Sequence, residues 1–123
     1  MTLTWTPGNG SRRIIVARAG TAVDAVPVDG IDYAENDNFQ SAAEISSGQR
    51  VVFDNVNAIA FITGLLPNTV YHFRIYEYDG TGSSIAYLTT SFATGNQSTA
   101  ATPTTQASNV VFSNVTGNGM TVS

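Results

Sequence analysis

A turn of fixed chemistry that runs directly into an alternating strand constrains this chain more than any other feature. The segment reads Thr63-Gly64-Leu65-Leu66-Pro67-Asn68-Thr69-Val70-Tyr71-His72-Phe73-Arg74-Ile75-Tyr76. Pro67 fixes φ, and Asn68 tolerates the left-handed conformations that turns need. From Tyr71 onward, Tyr71, Phe73 and Ile75 fall on one face, and His72, Arg74 and Tyr76 on the other. A tyrosine at the start of such a core strand buries its ring, and its hydroxyl bonds back to the turn. The expected partners are backbone groups near Leu66 to Asn68.

Almost every other segment also reads as strand or turn. Leu3 and Trp5 alternate with Thr2, Thr4 and Thr6, a half-buried strand ended by Pro7-Gly8-Asn9-Gly10. A second strand spans 13–19. Its run Ile14-Ile15-Val16-Ala17 is apolar on both faces, which leaves the inward parity open and suits a strand covered on both sides. Residues 20–49 are loop-like, with one helical turn conceivable at Ser41–Ile45. Val51-Val52-Phe53, 58–63, 71–78 and 85–92 are the remaining strands before Gly95.

Residues 96–108 form a Ser/Thr-rich linker with too little apolar surface to fold alone. Asn109 to Val115 then reads as a strand, Thr116-Gly117-Asn118-Gly119 as a tight turn, and Met120-Thr121-Val122-Ser123 as the start of another strand. That last tetrapeptide echoes Met1-Thr2-Leu3-Thr4. The chain therefore reads as one period of a tandem repeat. Residues 1–95 form a domain lacking its own first strand, and 109–123 supply the first strand and the start of the second for the next copy. The 109–115 strand is expected beside Leu3-Thr4-Trp5, in cis or, preferably, by swapping into a neighbouring molecule.

Composition narrows the function classes. Of 123 residues, 11% are charged, against about a quarter in an ordinary soluble domain. Thr, Ser, Asn and Gly fill the polar positions, as on extracellular β-proteins. The net charge of −4 and the lone basic cluster of Arg12, Arg13 and Arg18 argue against nucleic-acid binding. All five basic residues are Arg, so lysine-based catalysis and Lys–Asn crosslinks are excluded. With no Cys there is no disulfide and no thiolate site. No apolar run reaches the length of a membrane span. Met1-Thr2-Leu3-Thr4-Trp5 lacks the basic start and apolar core of a signal peptide, which within a longer protein has no bearing on export.

The pattern Leu65-x-Pro67-x-Thr69-x-Tyr71-x-Phe73-x-Ile75 resembles the corner and following strand of fibronectin type III domains. Trp5 matches that family's core tryptophan, and Tyr87 with Thr94-Gly95 looks like a last strand and its end. The resemblance implies an immunoglobulin-like antiparallel β-sandwich with a tyrosine corner at Tyr71. The departure is the 20–49 stretch, roughly twice an ordinary connection. Gly-Ser-Arg-Arg-Ile-Ile-Val-Ala-Arg, Pro-Val-Asp-Gly and Tyr-Glu-Tyr-Asp-Gly-Thr-Gly are similar to repeats in large surface or secreted proteins of the Bacteroidetes. There such modules look like spacers and accessory domains. The likeness implies a secreted or cell-surface location and neighbouring repeats as partners.

Each candidate site has a plainer counterpart. Asp24, Asp29, Asp32, Glu35 and Asp37 supply five of the nine carboxylates within one loop, and clustered hard oxygens are what Ca²⁺ needs. Asp29, Asp32, Glu35 and Asp37 are thus calcium candidates, but the spacing is not that of an EF-hand, and turn-forming acids are the stronger reading. His72 is the single histidine and lacks partners for zinc or a triad. Glu77 shares parity with Ile75 and should point inward, where Arg18 or Arg50 could pair with it. Tyr76 and Tyr78 share the outward face, with Tyr33 and Tyr87 in reach. Aligned aromatics can stack on sugars, but cover by the 20–49 insert is the stronger reading. The sequence therefore points to a non-enzymatic spacer or presentation module without a cofactor. Its expected partners are neighbouring repeats, or copies in a swapped homodimer or head-to-tail chain. The alternative is a carbohydrate- or protein-binding adhesion module using Tyr76, Tyr78 and the insert. A hydrolase would need paired acids that the sequence does not place.

Overall fold

The computed structural model describes residues 1–100, together with Phe112–Asn114 and Asn118–Met120. Ten strands and one 3-10 turn at Gly82–Ser84 make it nearly all-β. The strands are β1 (Thr2–Thr4), β2 (Arg12–Ala19), β3 (Glu44–Ser46), β4 (Gln49–Asn55), β5 (Ile59–Phe61), β6 (Val70–Asp79), β7 (Ala86–Tyr87), β8 (Ala93–Ser98), β9 (Phe112–Asn114) and β10 (Asn118–Met120). One sheet runs β3-β4-β2-β6-β7, with β8 also paired to β6. A second sheet holds β1 and β5, with Leu3 opposite Ala60. All these strand pairs are antiparallel.

Strand β2 lies at the centre of the large sheet and is apolar on both sides because both sides are covered. Ile15 and Ala17 join Val52, Phe53, Ala60, Ile62, Tyr71 and Phe73 in a core facing the β1–β5 sheet. Ile14 and Val16 face the opposite way, into a second core with Val23, Val51, Tyr76, Tyr78, Ile85 and Tyr87. Leu3, Trp5 and Ile75 pack against the first core with Phe73, as their parity predicts, and Leu65 of the turn joins them. The arrangement is that of a β-sandwich whose larger sheet carries a further layer on its outer face. That layer is the long insert.

The insert is more ordered than its composition suggests. Gln49 is buried, accepts the N–H groups of Asp24 and Ala25 at 2.9 and 2.8 Å, and donates to Asp24 Oδ1 at 2.7 Å. Past Tyr33 the insert crosses to the other face, where Phe39 and Ala42 enter the first core. Phe39 N donates to Thr63 O at 2.8 Å, and Arg50 Nη1 donates to the Phe39 and Gln40 carbonyls at 3.1 and 2.7 Å. No helical turn forms at 41–45; Glu44–Ser46 is instead edge strand β3 on β4.

The expected last strand over 85–92 is also revised. Only Ala86–Tyr87 pairs there, and a later strand, Ala93–Ser98, takes up the rest of β6. Tyr78 faces Tyr87, whereas Ile75 faces Ala93, so the intervening residues loop out. The loop sends the Phe92 ring back onto Tyr76, at 5.2 Å between centroids, beneath the Arg74 guanidinium at 4.2 Å. Strand β8 takes in Asn96–Ser98, the start of the stretch read as linker. Strands β9 and β10 pair with each other, Phe112 opposite Met120. Residues 101–111, 115–117 and 121–123, with parts of the linker and of the proposed repeat strands, lie outside the described residues.

Candidate functional site

The corner at the start of β6 has the geometry its spacing predicts. Asn68 adopts φ +51°, the one positive value at a non-glycine among the described residues. Tyr71 is fully buried, and its hydroxyl accepts the Leu66 N–H at 2.8 Å. Phe39 meets the Tyr71 ring edge-on at 5.2 Å, an orientation aromatic quadrupoles favour. Thr69 Oγ1 donates to Pro67 O at 2.8 Å and tightens the turn. Thr99, which sequence reasoning missed, joins the far strand end to this corner. Its hydroxyl donates to Leu66 O at 2.7 Å and accepts from Thr69 N at 3.0 Å. A lone Thr in a Ser/Thr-rich stretch carries no signal that could have singled it out.

Glu77 points inward as its parity requires, but its partner is Arg13, not Arg18 or Arg50. The two are register partners across β2 and β6, so their heads meet without leaving the sheet. Arg13 Nε and Nη2 donate to the two carboxylate oxygens at 2.7 and 3.0 Å. The side chains are 4% and 13% exposed, which makes this a nearly buried, forked pair. Gly10 N also donates to Glu77 at 3.1 Å, and Arg13 Nη1 donates to the Val56 and Asn57 carbonyls. Gly8 and Gly10 lie against the Glu77 side chain, where a Cβ would collide with it. Burial acts to raise the Glu77 pKa, but the Arg13 hydrogen bond and charge and the glycine N–H groups outweigh it. The carboxyl is held below its ordinary value.

On the opposite face, Tyr78 donates to Asp54 Oδ1 at 2.5 Å and accepts from Arg12 Nε at 2.9 Å. Burial and the bond to Asp54 push its pKa up to about 12 against the pull of Arg12. Burial likewise raises Tyr87, whose hydroxyl donates to Ile31 O at 2.7 Å.

The two tyrosines expected on an outward face are not available to a ligand. Tyr76 is 0% and Tyr78 4% exposed, beneath the insert and beside Tyr87 and Phe92. Tyr76 donates to Ala25 O at 2.8 Å, so it pegs the insert down. A ring without exposed surface cannot stack on a sugar.

Of the four calcium candidates, Asp29 and Glu35 engage separate partners through their carboxylates, and Asp37 does so through its main-chain carbonyl. Asp29 Oδ1 accepts Tyr87 N at 2.8 Å, Glu35 Oε1 accepts Asp54 N at 2.8 Å, and Asp37 O accepts Thr63 N at 2.8 Å. Asp32 lies in the exposed part of the insert. Among the described residues, no three His, Cys, Asp or Glu side chains are grouped as metal ligands. His72 is half-buried opposite Arg18 on β2 and Asn96 on β8. Trp5 packs edge-on against Phe53 at 5.3 Å, and its buried Nε1 has no partner among the described residues. No family model, curated protein or solved structure matches this chain.

Proposed function

We propose that the chain is a fibronectin type III-like, non-catalytic β-sandwich repeat. In this reading it serves as a spacer and presentation module within a larger secreted or cell-surface bacterial protein. The observation that carries the reading is the Tyr71 corner, with its Leu66 bond, between two facing antiparallel sheets. The charged side chains support it. Arg13, Glu77, Arg12 and Asp54 tie strands and turns together, which suits a rigid unit in a linear array. Partners would be adjoining copies of the same module. Two copies expressed in series test this: small-angle scattering should give a rod lengthened by one module per copy. A compact, side-by-side pair would contradict the spacer role.

A binding role has a narrower footing. With Tyr76 and Tyr78 covered, it would centre on a shallow depression where Phe61 is 61% exposed beside Glu35, Asp37, Asn55 and Asn57. An exposed ring flanked by carboxylates and amides suits a sugar face. Glycan-array binding lost in Phe61→Ala would favour this reading over the spacer.

A further inference from the structure

Among the described residues, one side of the sandwich carries a groove along its length. Among the described residues β1 pairs only with β5, and β8 only with β6, so within that set each has one edge unpaired. The groove runs between these edges, floored by Phe73 and Ile75 and walled by Leu3, Trp5, Ala93 and Gly95. It continues past Trp5 toward Gly8 and Leu88 in one direction and past Gln97 toward Met1 and Leu65 in the other. Strand β8 is the most exposed part of this groove. Ala93, Gly95 and Gln97 are the register partners of Ile75, Phe73 and Tyr71, so they lie on the core face, yet all six β8 residues are exposed. Trp5 Nε1, buried and without a hydrogen-bond partner among the described residues, lies at the same place.

We propose that residues 109–115 of a second copy fill this groove as an added strand, antiparallel to β1. The register follows from the chain itself. In the β9–β10 pair, Phe112 faces Met120. Met120-Thr121-Val122-Ser123 matches Met1-Thr2-Leu3-Thr4 in sequence. Transferring the pairing to β1 places Phe112 opposite Met1, Val110 opposite Leu3 and Asn109 opposite Thr4. Val110 and Phe112 then fall on the face of Leu3 and Met1, which packs on the core, while Asn109, Val111 and Ser113 fall on the face of Thr2 and Thr4. Main-chain hydrogen bonds to the unpaired edge supply affinity, and the two apolar side chains supply register.

The donor is a second molecule for a geometric reason. Ala100 lies beside Met1 and Leu65, the end where a strand antiparallel to β1 would exit. To enter at the Trp5 end, a molecule's own residues 101–108 would first have to run back the length of β1 before 109–115 could turn into the groove. A neighbour's strand enters without that reversal. This inference rests on the repeat-module reading, yet it fails separately from it.

The chain has no Cys, so engineered thiols report the pairing cleanly. Protein carrying Leu3→Cys is mixed with protein carrying Val110→Cys, unfolded and refolded together, and oxidised. A covalent heterodimer is expected, and it should be lost when Phe112→Asp is added or when Ser113→Cys replaces Val110→Cys. Thr4→Cys with Asn109→Cys repeats the test at a site outside the core, should Leu3→Cys fold poorly. A Leu3→Cys/Val110→Cys double variant that crosslinks within one monomer, or no crosslink with either pair, overturns the proposal. The scattering of the two-copy rod is unaffected by that outcome.

Discussion

Tyr71 and Tyr76 lie on one strand and anchor opposite layers. Tyr71→Phe keeps the ring and deletes the acceptor of the Leu66 N–H. The cost should be about 1–2 kcal/mol for an unpaired, partly buried donor, seen as a lowered midpoint in urea. No change would mean the corner bond is idle. Glu77 makes the stronger claim. Glu77→Ala strands Arg13 in a nearly buried position, and such a change costs roughly 3–5 kcal/mol. Because the folded-state pKa of Glu77 lies below the ordinary 4.5, its contribution is present above that pH. It is lost as pH falls through the lower folded value. Acid titration of stability should therefore steepen below pH 4.5 in the native chain and flatten in Glu77→Gln. Tyr78 gives the mirror case at high pH. Its pKa is raised from 10 to about 12, so the folded state holds a proton that the unfolded state releases. Stability should fall between those values, and Tyr78→Phe should reduce the fall.

At the scale of elements, legibility followed how local the cause was. The 71–78 strand and its corner were readable because Pro67, Asn68 and strict alternation act within a few residues. The apolar parity of 13–19 correctly signalled two covered faces. The covering layer could be named but not built from sequence, because Gln49, Tyr76 and Tyr87 hold it through bonds to backbone atoms far along the chain. The Arg13–Glu77 pair was missed because cross-strand register is a tertiary property, and Arg18 and Arg50 carry the same charge. The break between β7 and β8 was hidden in a run of Leu, Thr, Ser and Phe that reads as continuous strand. Trp5 lies half-buried against Phe53, so its emission should be blue-shifted in the folded chain and move red on unfolding. Emission like that of free tryptophan would place β1 off the sandwich.

In the whole molecule, two cores flank one central sheet and are expected to unfold together. Asp24, Asp29 and Glu35 of the insert serve that unit as hydrogen-bond acceptors. Millimolar Ca²⁺ should then leave the melting temperature unchanged, while a rise abolished by Asp32→Ala would restore a metal site. The most direct test compares the two cores by scanning calorimetry. Tyr71→Phe perturbs the inner core, and Val23→Ala perturbs the core beneath the insert by roughly 1–2 kcal/mol, at about 0.8 kcal/mol per buried carbon. One transition is expected, with van't Hoff and calorimetric enthalpies that agree, shifted down by several degrees in both variants. A Val23→Ala chain that loses a small early transition, with the main one unmoved, would show the insert to be a separate, dispensable layer and would contradict this expectation.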